Sequence, residues 1–361
     1  MLRRLLLLLI LVLASTSPSA EMQSAKPLDA YVIDVEGGEA TLFVSSFGES
    51  LLVDTGWPGL EGRDADRIAA AAKQAGIAQI DYLVVTHFHA DHMGGARQLA
   101  ARLPIRHFID HGATVDEGEQ ARVAFQDYAD VRSKGIHTTA RPGDTIPIAG
   151  LSVQVIAAGG SVLRRPNGGV PNPLCEAFKA QGPEITSRAA DAEDSRSVSL
   201  LITYGSFRTI IMGDLTWNRE YDLMCPSNRL GTVDVYLVSH HGSDTSGSEA
   251  LVHALRPRVA IMNNGPRKGG AVQTFEILRT SPGLEDLWQN HYSIPGGEQH
   301  NRPAAFIANI EEGAPATAGP QAEAPVHMGA AHWIKLTAEA DGGFTVTNSR
   351  TGFAKRYAPR N

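Results

Sequence analysis

The chain has 361 residues, of which 43% are hydrophobic and 20% charged, and its formal net charge is −7. That length holds one large domain, or a domain with an appendage. An acidic balance with only 6% aromatics gives no support to a general nucleic-acid surface and advertises no base-stacking platform, although a local basic patch is compatible with it.

The first segment, Met1-Leu2-Arg3-Arg4, is basic. It is followed by an apolar run from Leu5 to Ala14 and by Ser17-Pro18-Ser19-Ala20. A positive start, a short apolar core and small residues at the end predict a secretory signal peptide over residues 1–20. The apolar run is too short to cross a bilayer comfortably, which takes about 20 residues. An uncleaved anchor is the alternative. Cleavage leaves about 340 residues and, with Arg3 and Arg4 gone, a charge of −9. The expected product is secreted or periplasmic, with no stable membrane insertion.

Tyr31 to Val35, Thr41 to Ser45 and Leu51 to Val53 read as short strands of a meander leading into Asp54-Thr55-Gly56. Arg63 to Gln74 is Ala-rich with helical spacing and stops at Gly76. Ile80 to Val85 reads as a buried strand, Met93 to Arg102 as a helix, Ile105 to Ile109 as a strand and Glu117 to Ser133 as a helix. Such alternation predicts α/β layers rather than a β-sandwich. Residues 159–194 lack periodicity and are long for a loop. Strands are then expected at Ser197 to Thr203, Arg208 to Met212, Val233 to Val238 and Val259 to Met262. Residues 311–325 read as a flexible linker, and His332 to Thr337 with Phe344 to Thr347 as a terminal β-hairpin within 326–361. The only two cysteines, Cys175 and Cys225, can form one disulfide in an exported chain; two separate buried thiols are the other option.

The most informative segment is Thr86-His87-Phe88-His89-Ala90-Asp91-His92-Met93-Gly94-Gly95, which places four metal-capable side chains within six residues at the end of a strand. Alternation in extended chain sends His87 and His89 the same way, so that they can share one ion. Asp91 and His92 follow at the bend and can serve a second. Three other apolar strands end in related fashion, at Val53-Asp54-Thr55-Gly56, Met212-Gly213-Asp214 and Val238-Ser239-His240-His241-Gly242-Ser243. In layered α/β folds, strand ends converge on one edge, where active sites form.

These segments, together with Asp34-Val35-Glu36-Gly37-Gly38-Glu39-Ala40 and Ser197 to Phe207, resemble the metallo-β-lactamase fold superfamily, whose signature is His-x-His-x-Asp-His. Within it they are most similar to the hydrolase domain of ComEC-type DNA-uptake proteins and their secreted stand-alone relatives. The resemblance covers about residues 30 to 265. It implies an αββα sandwich over 27–310, here followed by the C-terminal hairpin packed on the domain. It also implies a dinuclear site: His87 and His89 on metal one, Asp91 and His92 on metal two, Asp214 bridging. His241 would complete metal two, and His240 would contact substrate or donate a proton, although these two roles could be exchanged. Many superfamily members carry a further His on metal one, but none lies between His137 and His240. Water, substrate, Asp194 and His111 are the candidates for that position. Asp54 fits a supporting role, holding a ligand His through its free ring nitrogen. A further departure is Pro266-Arg267-Lys268-Gly269-Gly270, where ComEC-type chains carry an aromatic-Gly-His-Pro element; Arg267 and Lys268 could meet an anionic group.

Nitrogen and carboxylate ligation suits Zn²⁺, with Mn²⁺ or Fe tolerated. Two such ions about 3.5–4 Å apart can share a hydroxide that attacks a carbonyl or phosphoryl centre, with Asp91 orienting it and taking its proton. The resemblance implies a phosphodiester or phosphate ester substrate, with nucleic acid a possible partner through that resemblance alone. Lactones, esters and β-lactams form the second substrate class. A di-iron redox protein or a metal-binding protein without turnover are the non-hydrolytic alternatives. Oligomeric state is not legible.

Overall fold

A computed structural model describes residues 26–164, 169–178, 192–310 and 327–360. The proposed leader and the 311–325 linker fall outside these residues, as do parts of the 159–194 segment.

Two nine-stranded sheets face each other, with helices on their outer surfaces. In the first sheet Leu28–Val32 pairs antiparallel with Thr41–Val44, which pairs antiparallel with Ser50–Val53. Ile80–Val84, Ile105–Asp110 and Ile136–Thr139 then continue in parallel. The second sheet has an antiparallel half, Ser152–Ala158, Ser199–Tyr204 and Phe207–Ile211. Its parallel half runs through Val235–Leu237, Val259–Met262, Asp286–His291 and Ile307–Asn309.

Strand alternation divides the core in two directions. Leu28, Ala30, Val32, Leu51 and Val53 point between the sheets, where they meet Phe207, Ile211, Val259 and Ile261. Tyr31, Leu42 and Leu52 point outward instead, against Ala65, Ile68 and Ala72 of the helix Arg63–Gln74. Residues 65, 68 and 72 lie on one helical stripe, so the amphipathic pattern fixes which face docks. On the far side Ile210, Ala260 and Met262 pack beneath the helices Trp217–Met224, Glu249–Leu255 and Val272–Thr280. The result is the αββα arrangement that the sequence resemblance implied.

Several elements differ from the sequence expectation. The helix expected over 93–102 is two short ones, Ala90–Met93 and Ala96–Ala100, separated by Gly94-Gly95. Close packing forces the glycine at 95, because a Cβ there would lie 2.0 Å from the Thr55 carbonyl oxygen. The terminal hairpin is part of a three-stranded meander, Ile334–Ala338, Phe344–Asn348 and Ala354–Tyr357. It extends the first sheet by pairing with Leu28–Val32, with Leu336 opposite Ala30. Cys175 and Cys225 form a disulfide, which ties the segment before the second-sheet helices to the end of Trp217–Met224. Among the described residues, no helix is long and apolar enough to cross a membrane.

Candidate metal centre

The site lies where strand ends from both sheets meet. From the first sheet, Ile80–Val84 runs into Thr86 and His87, both fully buried. His89 follows in extended conformation, and the short helix Ala90–Met93 then turns Asp91 and His92 inward. Asp54, after Ser50–Val53, has φ of 60°, a left-handed conformation uncommon for a residue with a side chain. Its carboxylate accepts from Thr86 N and Thr86 Oγ1, each at 2.7 Å, and meets His92 Nδ1 at 2.7 Å. Asp54 thereby fixes the ring and tautomer of His92 and leaves Nε2 free to face the site. Gly38 allows its loop to lie against Asp91, since a Cβ there would come within 2.5 Å of the Asp91 carbonyl oxygen.

The second sheet contributes shorter elements. Asp194 sits in a one-turn 3-10 helix, Asp194–Arg196, just before Ser199–Tyr204. Asp214 follows Phe207–Ile211 through Gly213, and its backbone N–H donates to Ser197 Oγ at 3.2 Å. His240 and His241 both adopt positive φ, 51° and 54°, after Val235–Leu237 and the intervening Val238-Ser239. Two consecutive left-handed side-chain residues carry backbone strain, of the kind that clusters at functional sites.

These residues assemble into two adjacent groups. In one, His87 Nε2, His89 Nδ1 and Asp194 Oδ1 converge, with separations of 3.0 Å between the imidazoles and 3.3 and 2.9 Å to the carboxylate. In the other, Asp91, His92, Asp214 and His241 converge. There His92 Nε2 lies 3.2 Å from Asp91 Oδ2 and 3.3 Å from Asp214 Oδ2, and His241 Nε2 lies 3.1 Å from Asp91 Oδ2. The His87 and His92 rings are only 4.0 Å apart between centroids, so the two groups are immediate neighbours.

The donor chemistry fits divalent ions. His92 Nε2, His241 Nε2 and Asp214 Oδ1 are buried polar atoms without a hydrogen-bond partner among the described residues. Buried polar groups are generally satisfied in folded proteins, and an ion would complete these three neighbouring atoms. Electrostatics prepare the carboxylates. Burial would raise the Asp214 carboxyl, but the imidazoles of His240, His92 and His241 outweigh it and hold it well below the usual range. Asp91 behaves alike: burial is opposed by His92, His241 and Lys268, with a net lowering. Both are therefore ionised at neutral pH, the state a metal ligand needs.

The structure gathers His87, His89, Asp91, His92, Asp214 and His241 into these two adjacent groups. His240 Nε2 stands 3.2 Å from Asp214 Oδ2, with its Nδ1 near Thr245 Oγ1 and Ser246 Oγ, and it belongs to neither group. Asp214 lies by distance with the second group, and its Oδ2 is 3.9 Å from His87 Nε2. Of the candidates for the open position near His87, Asp194 is in place. His111 is turned away, its Nε2 held by Glu193 Oε1 at 2.8 Å. Glu193 escaped the sequence reading: it is buried and also accepts from the backbone of Phe88 and Val115, bracing the His87–His89 segment. Ser197 and Thr86 were likewise unassigned, and both approach His87 Nδ1, at 3.5 and 3.1 Å. Their only sequence cue was adjacency to the motifs. His291 pairs with Asp34 at 2.7 Å, and neither it nor His300 joins either group.

The family model described as the metallo-beta-lactamase superfamily matches residues 33–262. Recombination protein 2 of Haemophilus influenzae is 27% identical over 234 residues, covering 64% of this chain and 24% of that protein. ComE operon protein 3 of Bacillus subtilis is 25% identical over 191 residues, covering 53% of this chain and 20% of that protein. The matched region thus spans under a quarter of the length of either curated relative. Among solved structures, a metallo-beta-lactamase of Cronobacter sakazakii is 18% identical with a TM-score of 0.35, covering 60% of this chain and 79% of that one.

Proposed function

The chain belongs to the metallo-β-lactamase superfamily and carries its hydrolase fold, and on that premise we propose that it is a secreted, dinuclear metal-dependent hydrolase of phosphodiesters or phosphate esters. One observation carries the proposal: the groups His87/His89/Asp194 and Asp91/His92/Asp214/His241 lie side by side, with the His87 and His92 rings 4.0 Å apart between centroids. Zn²⁺ suits the mixed imidazole and carboxylate donors. When bound, two such ions supply Lewis acidity and lower the pKa of water toward neutrality.

The chain's own residues then divide the remaining work. Asp91 orients the attacking group and receives its proton. Asp214 reaches from the second group toward His87 and links the two halves. Asp54, locked to Thr86, keeps His92 in one tautomer. His240 is 17% exposed on its side chain while His87 and His92 are fully closed off, which puts His240 on the substrate side, as a contact or proton donor to the leaving group. The phosphoester preference rests on the ComEC-type resemblance alone. A carboxylate, Asp194, beside His87 and His89 argues against β-lactam turnover, for which a third histidine is expected there.

The test is a panel of chromogenic phosphodiesters, phosphomonoesters, lactones and cephalosporins, run with the full chain and with Asp214→Ala. Phosphodiester turnover that Asp214→Ala abolishes is expected. Equal inertness of both proteins on every substrate would refute the proposal.

A further inference from the structure

Lys268 occupies an unusual place. Its ammonium donates to Asp91 Oδ2, the oxygen that also faces His92 Nε2 at 3.2 Å and His241 Nε2 at 3.1 Å. That oxygen is thus shared between a fixed cation of the chain and the second group of ligand atoms. We propose that Lys268 is a built-in competitor for the second metal site, so that the two sites load unequally, the His87/His89/Asp194 site first. The inference rests on the two-site reading above and deepens it.

The turn that carries Lys268 is fixed by backbone bonds, although its side chain is 36% exposed. Gly265 N donates to Lys268 O at 2.9 Å, closing the 265–268 turn, and Gly270 N donates to His241 O at 3.0 Å. Gly269, at φ +78°, packs so tightly on His241 that a Cβ would lie 2.0 Å from the His241 carbonyl oxygen. The turn carrying Lys268 is therefore attached to a ligand of the same site. From the other side Gly37 lies against the Lys268 stem, where an added Cβ would be 2.7 Å from the Lys268 Cβ. The Trp57 ring sits 4.8 Å from the ammonium, a cation–π arrangement that favours the charged group where it is.

An ion using Asp91 Oδ2 must share it with this ammonium or displace it. Like charges sharing one ligand atom in a largely buried pocket repel strongly, because little solvent screens them. The first group faces the opposite field. The far nitrogen of His89, Nε2, lies 3.5 Å from Asp116 Oδ2, and no lysine or arginine forms an ion pair with Asp194 among the described residues. A carboxylate behind a ligand imidazole strengthens it as a donor.

The experiment titrates Zn²⁺ into the chelator-stripped full chain against a chromophoric competitor, for wild type, Lys268→Met and Lys268→Arg. Methionine keeps the length of the stem without charge; arginine keeps the charge. In wild type the second equivalent should bind at least tenfold more weakly than the first. Lys268→Met should tighten the second equivalent at least tenfold and leave the first unchanged, and Lys268→Arg should behave like wild type. A second equivalent unaltered in Lys268→Met would overturn the assignment while leaving the two-site reading intact. Failure of all three proteins to bind any Zn²⁺ would overturn that reading, and this inference with it.

Discussion

The two sheets build their halves of the site in different ways. The first supplies a contiguous run, residues 86–92, in which strand alternation followed by one helical turn aims four side chains inward, with Asp54 locked behind them. The second supplies isolated residues on three separate turns, Asp194, Asp214 and the His240-His241 pair, each set by unusual backbone or tertiary bonds. One half is thus specified locally, and the other exists only when the second sheet is correctly layered. Substitutions in the second half should therefore disturb metal binding without altering local chain preferences.

The largest expected effect tests that division directly. Asp194→Ala should remove metal one's carboxylate and lower kcat/KM by roughly 10³-fold, equivalent to several kcal/mol of transition-state stabilisation. His111→Ala should leave metal content unchanged. It should cost about 1–3 kcal/mol in denaturant unfolding, because Glu193 then keeps a buried carboxylate without its partner. Metal loss in His111→Ala but not in Asp194→Ala would reverse the assignment.

The support of the first half can be probed through Asp54→Asn. Removing the charge behind His92 Nδ1 should weaken the second metal by about 10- to 100-fold, read by competition titration. An unchanged affinity would reduce Asp54 to turn chemistry.

Two further predictions concern the scaffold under the second half. The Cys175–Cys225 bridge closes a loop with a sequence separation of 50. Its removal by paired serines should cost about 4 kcal/mol in unfolding free energy by loop entropy, with metal stoichiometry kept once folded. Glu220 is fully buried and accepts from Gly247 N and Ser248 N, tying Trp217–Met224 to the start of Glu249–Leu255. Burial raises its carboxyl from 4.5 to about 7. The folded state therefore binds this proton more tightly than the unfolded one. The associated stability is complete below pH 4.5 and is lost as pH rises through about 7. The loss is on the order of 3 kcal/mol, and Glu220→Gln should flatten that slope in denaturant titrations across this window.

The same contrast explains what could be read from the chain. The His87–His92 cluster was legible because ligand spacing, strand alternation and a glycine turn are local properties. Asp214 and the His240-His241 pair were legible through resemblance. Glu193 was not, since its role depends on bonds to Phe88 and Val115, far away in sequence. Asp194 stood in an aperiodic loop, where nothing separated it from His111. Lys268 read as a charge that could meet an anionic group, and its partner Asp91 lies far away in sequence. The strand Asp286–His291 was hidden by its polarity: Asp286, Gln289, Asn290 and His291 are all buried, with hydrogen bonds to tertiary partners Tyr357, Asn301, Ile33 and Asp34. Ala354–Tyr357 is mostly exposed and lacks the alternation that marks a strand.

Two adjacent metal sites, each drawing ligands from both sheets, are the core of this account. Anomalous diffraction at the zinc edge, from crystals of the full chain grown with Zn²⁺, tests it most directly. Two peaks are predicted, one among His87, His89 and Asp194 and the other among Asp91, His92, Asp214 and His241. A map with no peak within bonding distance of these residues would contradict the account.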